Sequence, residues 1–244
     1  MIGVQKKLHT KFWKNDGTIN AEVRKNLLQM AKDFIEFTKV KNLKLHDIIF
    51  TGSLANFTYH DKSDIDLHVV FDLSNFERHR AFIKEYLQSK KTIWNENHNI
   101  NIHGFKVEIY PEDEQGQHTS TGQYSLVKNE WIKKPEKPQK VEVDKDLVKR
   151  KYQDKVDQIL YFEEQSDKKK TDYKKLIKDI EKFVLNLRDS RKSALKAQGE
   201  FAPENLAFKM LRNNGYFEKL HEMKNKIYDN HLSLKEKEIL QVKQ

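Results

Sequence analysis

The chain has 244 residues, with 46 Lys+Arg against 37 Asp+Glu, a formal charge of +9 and a sequence pI of about 9.3. Hydrophobic residues make up 37% and aromatic residues 11%, enough apolar surface for one large domain or two small ones, which argues against a disordered chain. Eight Gly, four Pro and no Cys exclude collagen-like and disulfide-stapled folds, thiolate zinc sites and a cysteine nucleophile.

No stretch is apolar enough to span a bilayer, so a soluble cytoplasmic protein with no membrane partner is expected. The positive balance admits a polyanionic partner, and RNA is a candidate. Only 7 of the 46 basic residues are Arg, however, whereas nucleic-acid footprints favour Arg for planar bidentate contacts. Drift toward Lys, Asn and Ile in an AT-rich genome gives the same balance.

In chain order, Ala21 to Thr38 has Val23, Leu27, Ala31, Phe34 and Ile35 on one helical stripe. Asp47 to Thr51 reads as a strand ending at Gly52, and Ile65 to Phe71 as a second strand. Asn75 to Lys90 reads as a helix presenting Phe76, Phe82, Ile83, Tyr86 and Leu87. Ile100 to His103 and Phe105 to Tyr110 read as strands joined at Gly104, stopped by Pro111 and the acidic loop Glu112-Asp113-Glu114. Lys133 to Lys140 holds two of the four prolines and reads as a linker. Beyond it, Val148, Tyr152, Val156, Ile159 and Leu160 share one helical face, and Tyr173, Leu176, Ile177, Ile180, Val184 and Leu187 share another. Pro203 suits a helix first turn, Asn214-Gly215 its end, and a last helix is expected over Tyr216 to Asp229. The expected class is α+β: a small mixed β-sheet flanked by helices over residues 1–132, a linker over 133–144, and an all-α C-terminal bundle over 145–244.

The informative stretch runs from Gly52-Ser53 to Ser63-Asp64-Ile65-Asp66-Leu67. Strand side chains alternate faces, so Asp64 and Asp66 point the same way, with Cα atoms roughly 6.5 Å apart, while Ile65, Leu67 and Val69 point into a core. Two carboxylates on one strand face repel, and a hard divalent cation such as Mg²⁺ compensates directly. Two such ions need a third acid from an adjacent strand. Glu108 alternates with Val107 and Ile109, so it faces away from the core and fits that place. Three acids around two ions roughly 4 Å apart would clamp the attacking and leaving oxygens of a phosphoryl transfer, with Glu108 placed to take a proton. Gly52 at a strand-to-helix turn lets backbone approach a ligand closely. A helix near Leu54 to Tyr59 would aim its first N–H groups at a triphosphate, and the Ser53 hydroxyl adds a donor. His68 shares the face of the acids and reads as a partly exposed histidine bonded to a carboxylate. The hydroxyl- and glycine-rich stretch His118 to Tyr124 could line an acceptor pocket or be a plain loop. Lys168-Lys169-Lys170 and Lys133-Lys134 read as solvated surface.

The segment resembles the signature of the DNA polymerase β-like nucleotidyltransferase superfamily: Gly-Ser, a spacer, then Ser-Asp-h-Asp-h with h apolar. Ser63-Asp64-Ile65-Asp66-Leu67 matches the second half residue for residue, and the Gly-Ser spacing matches the minimal nucleotidyltransferases. Together with His118 to Leu126 it also resembles uncharacterised nucleotidyltransferase-like proteins of large bacteriophages. The minimal enzymes usually carry Gly where Phe57 stands, often Arg where Asn56 stands, and more often Asp at the third acid. The match covers about residues 45–110. It implies transfer of a nucleoside monophosphate from a nucleoside triphosphate (NTP) to an acceptor. Gly52, Ser53 and the matched Ser63 would hold the NTP, Asp64 and Asp66 would bind Mg²⁺, and Glu108 would take the third-acid place. The alternative is a binding module on the same fold, RNA-binding or antitoxin-like, with little or no turnover. Acceptor, base preference and oligomeric state are not written in the residues.

Overall fold

The computed structural model describes residues 4–116, 120–137, 143–168 and 172–233. Among them are six α-helices and one six-stranded mixed sheet, an α+β architecture with its helices concentrated at the C-terminal end. The chain divides into two compact units, residues 1–140 and 141–244.

In the first unit, α1 (Ala21–Thr38) starts where the Asn20 side chain accepts from the Glu22 N–H, and it ends at Lys39, which adopts a left-handed φ of 58°. Its Val23, Leu27, Met30, Ala31 and Phe34 are buried. The strands are β1 (Lys44–Thr51), β2 (Ile65–Asp72), β3 (Asn101–Ile102), β4 (Phe105–Asp113), β5 (Gln123–Ser125) and β6 (Glu130–Lys133), in the order β3-β4-β2-β1-β5-β6. Helix α2 (Arg80–Asn97) stands between β2 and β3, preceded by a short 3-10 segment, Ser74–His79. β2 pairs antiparallel with β1 and parallel with β4.

The period of two sorts β2 cleanly. Ile65, Leu67, Val69 and Phe71 are fully buried in the core shared with Phe12, Phe34, Phe50 and Ile109, while Asp66 and His68 alternate onto the other face. Each fully buried Leu or Phe contributes about 2 kcal/mol of transfer free energy. The segment before α1 belongs to this core. The Trp13 indole donates to the Leu54 carbonyl at 2.7 Å and stacks on Trp131 with 4.4 Å between ring centroids.

β4 does not stop at Pro111; it continues to Asp113. The Val107 N–H donates to the Ile100 carbonyl and the Ile109 N–H to the Asn95 side chain, both on the edge away from β2. By alternation the nitrogen of Pro111 falls on that same outer edge, so no β2–β4 hydrogen bond is lost. Asp113 is therefore no loop charge. It is buried and takes two hydrogen bonds from the Arg80 guanidinium, at 2.8 and 2.9 Å, with Lys84 at 3.4 Å. Helix α2 covers the outer edge of β4. The Asn95 amide pairs with both the N–H and the C=O of Ile109, and the Gln88 amide donates to the Pro111 carbonyl. The helix sits five residues later at its start, and seven later at its end, than the apolar stripe suggests. Trp94 and Leu87 anchor it, whereas Phe82 is 66% exposed.

The stretch up to Tyr124, read as either an acceptor-pocket lining or a plain loop, ends in a strand. Gln123, Tyr124 and Ser125 are buried against β1 as β5. His118 and Thr119 lie outside the described residues, as do Pro138 to Lys140 of the linker and Lys169 and Lys170.

The second unit is helical: α3 (Lys145–Ser166), α4 (Tyr173–Gln198), α5 (Pro203–Asn213) and α6 (Tyr216–Leu232). Asp144 and Asp172 cap α3 and α4 by accepting from the Leu147 and Lys175 N–H groups at 2.9 and 3.1 Å. Pro203 opens α5, and Gly215, at φ 74°, separates it from α6. Val156, Ile159, Phe162, Ile180, Leu187, Leu211, Leu220 and Ile227 form its core. Leu160 is 46% exposed, because the buried stripe of α3 runs through Val156, Ile159 and Phe162 and leaves Leu160 at its margin. Among the described residues no helix is long and apolar enough to cross a membrane.

Candidate active site

The candidate site occupies the sheet face opposite the core. β1 runs into Gly52, whose φ is +80°. A Cβ at this position would lie 1.8 Å from Asp66 Oδ2, so the backbone turn and the carboxylate share space that only glycine leaves. Asp66 pairs with Thr51 across β1 and with Glu108 across β4. Adjacent strands run about 4.8 Å apart, so Asp66 and Glu108 are lateral neighbours on one face. Asp64 stands one residue before β2, and Lys106 one residue before the Ile65–Val107 pair, on the same side as Glu108 by alternation. The structure thus brings Gly52, Asp66 and Glu108 together, with Asp64 two residues from Asp66.

The loop after Gly52 differs from expectation. The helix expected over Leu54 to Tyr59 is a single 3-10 turn, Ser53–Ala55, and Asn56 is already extended. The Asn56 side chain ends the turn by accepting from the Phe57 N–H and bonding the Thr121 hydroxyl, so no row of helix N–H groups forms. Ser53 and Ser63 lie together. The Ser53 hydroxyl donates to Ser63 Oγ at 2.8 Å, and Ser63 Oγ also accepts from the His60 N–H at 3.0 Å. Ser63 is buried, and these bonds tie the two ends of the loop. Gly122 closes the neighbouring segment. A Cβ there would meet the Ala55 carbonyl oxygen at 1.9 Å, and its own carbonyl accepts from the Thr51 hydroxyl at 2.8 Å.

Three side chains that sequence reasoning left out join the face. Lys106 Nζ lies 3.2 Å from Glu108 Oε1, and the Tyr110 hydroxyl donates to Glu108 Oε2 at 2.6 Å. Lys91 of α2 places its ammonium 4.6 Å from the centre of the Tyr110 ring. Burial first, then the negative charges of Asp66 and Glu108, the hydrogen bond to Glu108 and the charge of Asp64, hold the Tyr110 phenol far above its ordinary value, so it stays a donor. Lys106, Glu108, Tyr110 and Glu112 alternate along β4, a signal readable from the period of two; Lys91 gives none. One step further along the sheet, His68 Nδ1 lies 2.7 Å from Glu112 Oε1.

Asp66 and Glu108 present carboxylate oxygens on one face, and the missing Gly52 Cβ keeps room for Asp66, the donor chemistry that a hard divalent cation takes. Among the described residues no three acidic, histidine or cysteine side chains already stand close enough to grip one ion, and both Glu108 oxygens are turned to Lys106 and Tyr110.

No family model matches the chain, and no curated protein matches it. One solved structure with some likeness is a STING-associated CdnE c-di-GMP synthase from Capnocytophaga granulosa. It is 12% identical over 88% of this chain and 84% of that one, with a TM-score of 0.24. A TM-score of that size decides nothing about fold or activity.

Proposed function

We propose that the chain is a divalent-metal-dependent nucleotidyltransferase, moving a nucleoside monophosphate from an NTP to an acceptor hydroxyl. The observation that carries this reading is the lateral pairing of Asp66 with Glu108, with the Gly52 turn packed against the Asp66 carboxylate. Asp64, Asp66 and Glu108 would hold Mg²⁺, in the two-ion form these three acids suggest. When bound, Mg²⁺ supplies neutralisation of charge on the phosphoryl group in transfer. The Gly52 turn lets the triphosphate approach the backbone, and the Ser53 hydroxyl would leave Ser63 Oγ to donate to a phosphate oxygen. The acceptor oxygen attacks the α-phosphorus, its bond to the β-phosphate bridging oxygen breaks, and pyrophosphate leaves. The acceptor proton passes to the Glu108 carboxylate. RNA ends, protein hydroxyls and small molecules are the acceptor classes to be screened, since a fold does not fix a substrate.

Isothermal titration of ATP and GTP with and without Mg²⁺ tests the reading. Nucleotide binding that needs Mg²⁺ and is lost in Asp64→Ala supports it. RNA binding that survives Asp64→Ala, with no nucleotide binding, overturns it in favour of a binding module without turnover.

A further inference from the structure

Glu108 is held by a cation of the chain itself. Lys106 and Glu108 are two residues apart on β4, so they share a face, and their charged ends lie 3.2 Å apart. Lys106 precedes Val107, which pairs with Ile65, and Asp64 precedes Ile65. The Lys106 backbone therefore stands level with Asp64, while its ammonium contacts Glu108, one of the three acids assigned to the metal. The Lys106 side chain is 44% exposed and that of Glu108 25%. A pair this open is weak and rearranges readily, and the flexible lysine stem gives the charge several ångströms of reach.

We propose that Lys106 is an exchangeable counter-ion: it yields Glu108 to a divalent cation and turns its ammonium to an oxygen of the substrate triphosphate. The inference rests on the nucleotidyl-transfer reading above and adds the residue that couples the two ligands. Lys106 neutralises Glu108 before the metal arrives, which limits repulsion among Asp64, Asp66 and Glu108. Once the carboxylate is taken, the same charge has a new anion within reach. Tyr110, which donates to the other Glu108 oxygen, keeps the carboxylate oriented through the exchange. The consequence is two effects of opposite sign from one substitution. Removing the ammonium removes a competitor for the metal and a ligand for the phosphate.

The test uses the full chain and two probes, Mn²⁺ alone and ATP or GTP with Ca²⁺, each followed by equilibrium binding. Lys106→Met should bind Mn²⁺ about two- to fivefold more tightly, the value of an exposed ion pair. It should bind the triphosphate about tenfold more weakly, the value of a lost charge-assisted hydrogen bond. Lys106→Arg, which keeps the charge, should restore most of the triphosphate affinity. Both variants alter a half-exposed side chain, and equal melting temperatures verify their folding. Wild-type protein that binds Mn²⁺ through Asp64 and Asp66, with Lys106→Met unchanged or weaker for Mn²⁺, overturns the exchange alone. Wild-type protein that binds neither Mn²⁺ nor triphosphate overturns the nucleotidyl-transfer reading and the exchange with it.

Discussion

Gly52 packs its backbone directly against the Asp66 carboxylate: a Cβ on Gly52 would lie 1.8 Å from Asp66 Oδ2, on a backbone whose φ is +80°. Gly52→Ala must move the turn, the carboxylate, or both. The expected stability loss is about 1–2 kcal/mol from the unfavourable φ. Metal affinity should fall further, by at least about tenfold, because the displaced group is one of the proposed ligands. Urea unfolding and Mn²⁺ titration of the same variant separate the two. A Gly52→Ala protein with unchanged Mn²⁺ affinity would show that the Asp66 carboxylate is not the group that binds.

Tyr110 supports Glu108 as a donor. Its phenol is raised above the ordinary tyrosine value by burial and by Asp66, Glu108 and Asp64, so it should contribute no tyrosinate absorbance where an ordinary tyrosine ionises, near about pH 10. The tyrosinate band of wild type and of Tyr110→Phe should therefore rise alike through that range. The variant should lose about 1 kcal/mol of stability with the hydrogen bond. Tyrosinate absorbance missing from the variant near about pH 10 would contradict the placement.

Asn95 does for β4 what a further strand would do. Its amide pairs with both the N–H and the C=O of Ile109. Asn95→Ala leaves both backbone groups without this partner and should cost about 1–3 kcal/mol. The Ile109 amide should exchange with solvent deuterium markedly faster, while amides of α4 are unaffected. Unchanged exchange at Ile109 would mean that α2 does not seal this edge.

Asp113 gives the pH dependence. Hydrogen bonds from Arg80 are the largest cause holding its carboxyl below the ordinary value, with the Gln115 N–H and Lys84 adding to them against burial. The folded value is the lower one, so the stabilisation is fully present above about pH 4 and is lost as pH falls through the folded value. Asp113→Asn should lower the urea midpoint at neutral pH, and the gap to wild type should close in acid. A gap that stays constant down to about pH 2 would contradict the pairing.

Much of the site was legible because strands repeat every two residues. That period places Asp66 opposite the core and Glu108 on the face of its own strand that meets it, and it holds equally for Lys106 and Tyr110. Contacts between distant segments were not legible. Nothing local says that Trp13 will stack on Trp131, or that Gln88 and Asn95 will serve the outer edge of β4. Pro111 reads as a strand stop until the neighbour of β4 is known, because its missing N–H matters only on a paired edge. The turn after Gly52 is short because Asn56 bonds Thr121, 65 residues away in sequence, a constraint no helical propensity contains. The stripe of α3 buries Ile159 and Phe162 and leaves Leu160 at its margin, and only the packed helices fix where that margin falls.

The central claim is tested most directly by incubating the wild-type chain and Asp66→Asn with each α-labelled NTP, Mg²⁺, and either RNA, protein or no added acceptor. The account predicts label transferred to an acceptor with release of pyrophosphate by the wild type, lost on chelation and reduced at least about a hundredfold in Asp66→Asn. Label transfer that Asp66→Asn leaves intact, or a wild type that neither binds nor consumes any of the four nucleotides across the acceptors, would contradict it.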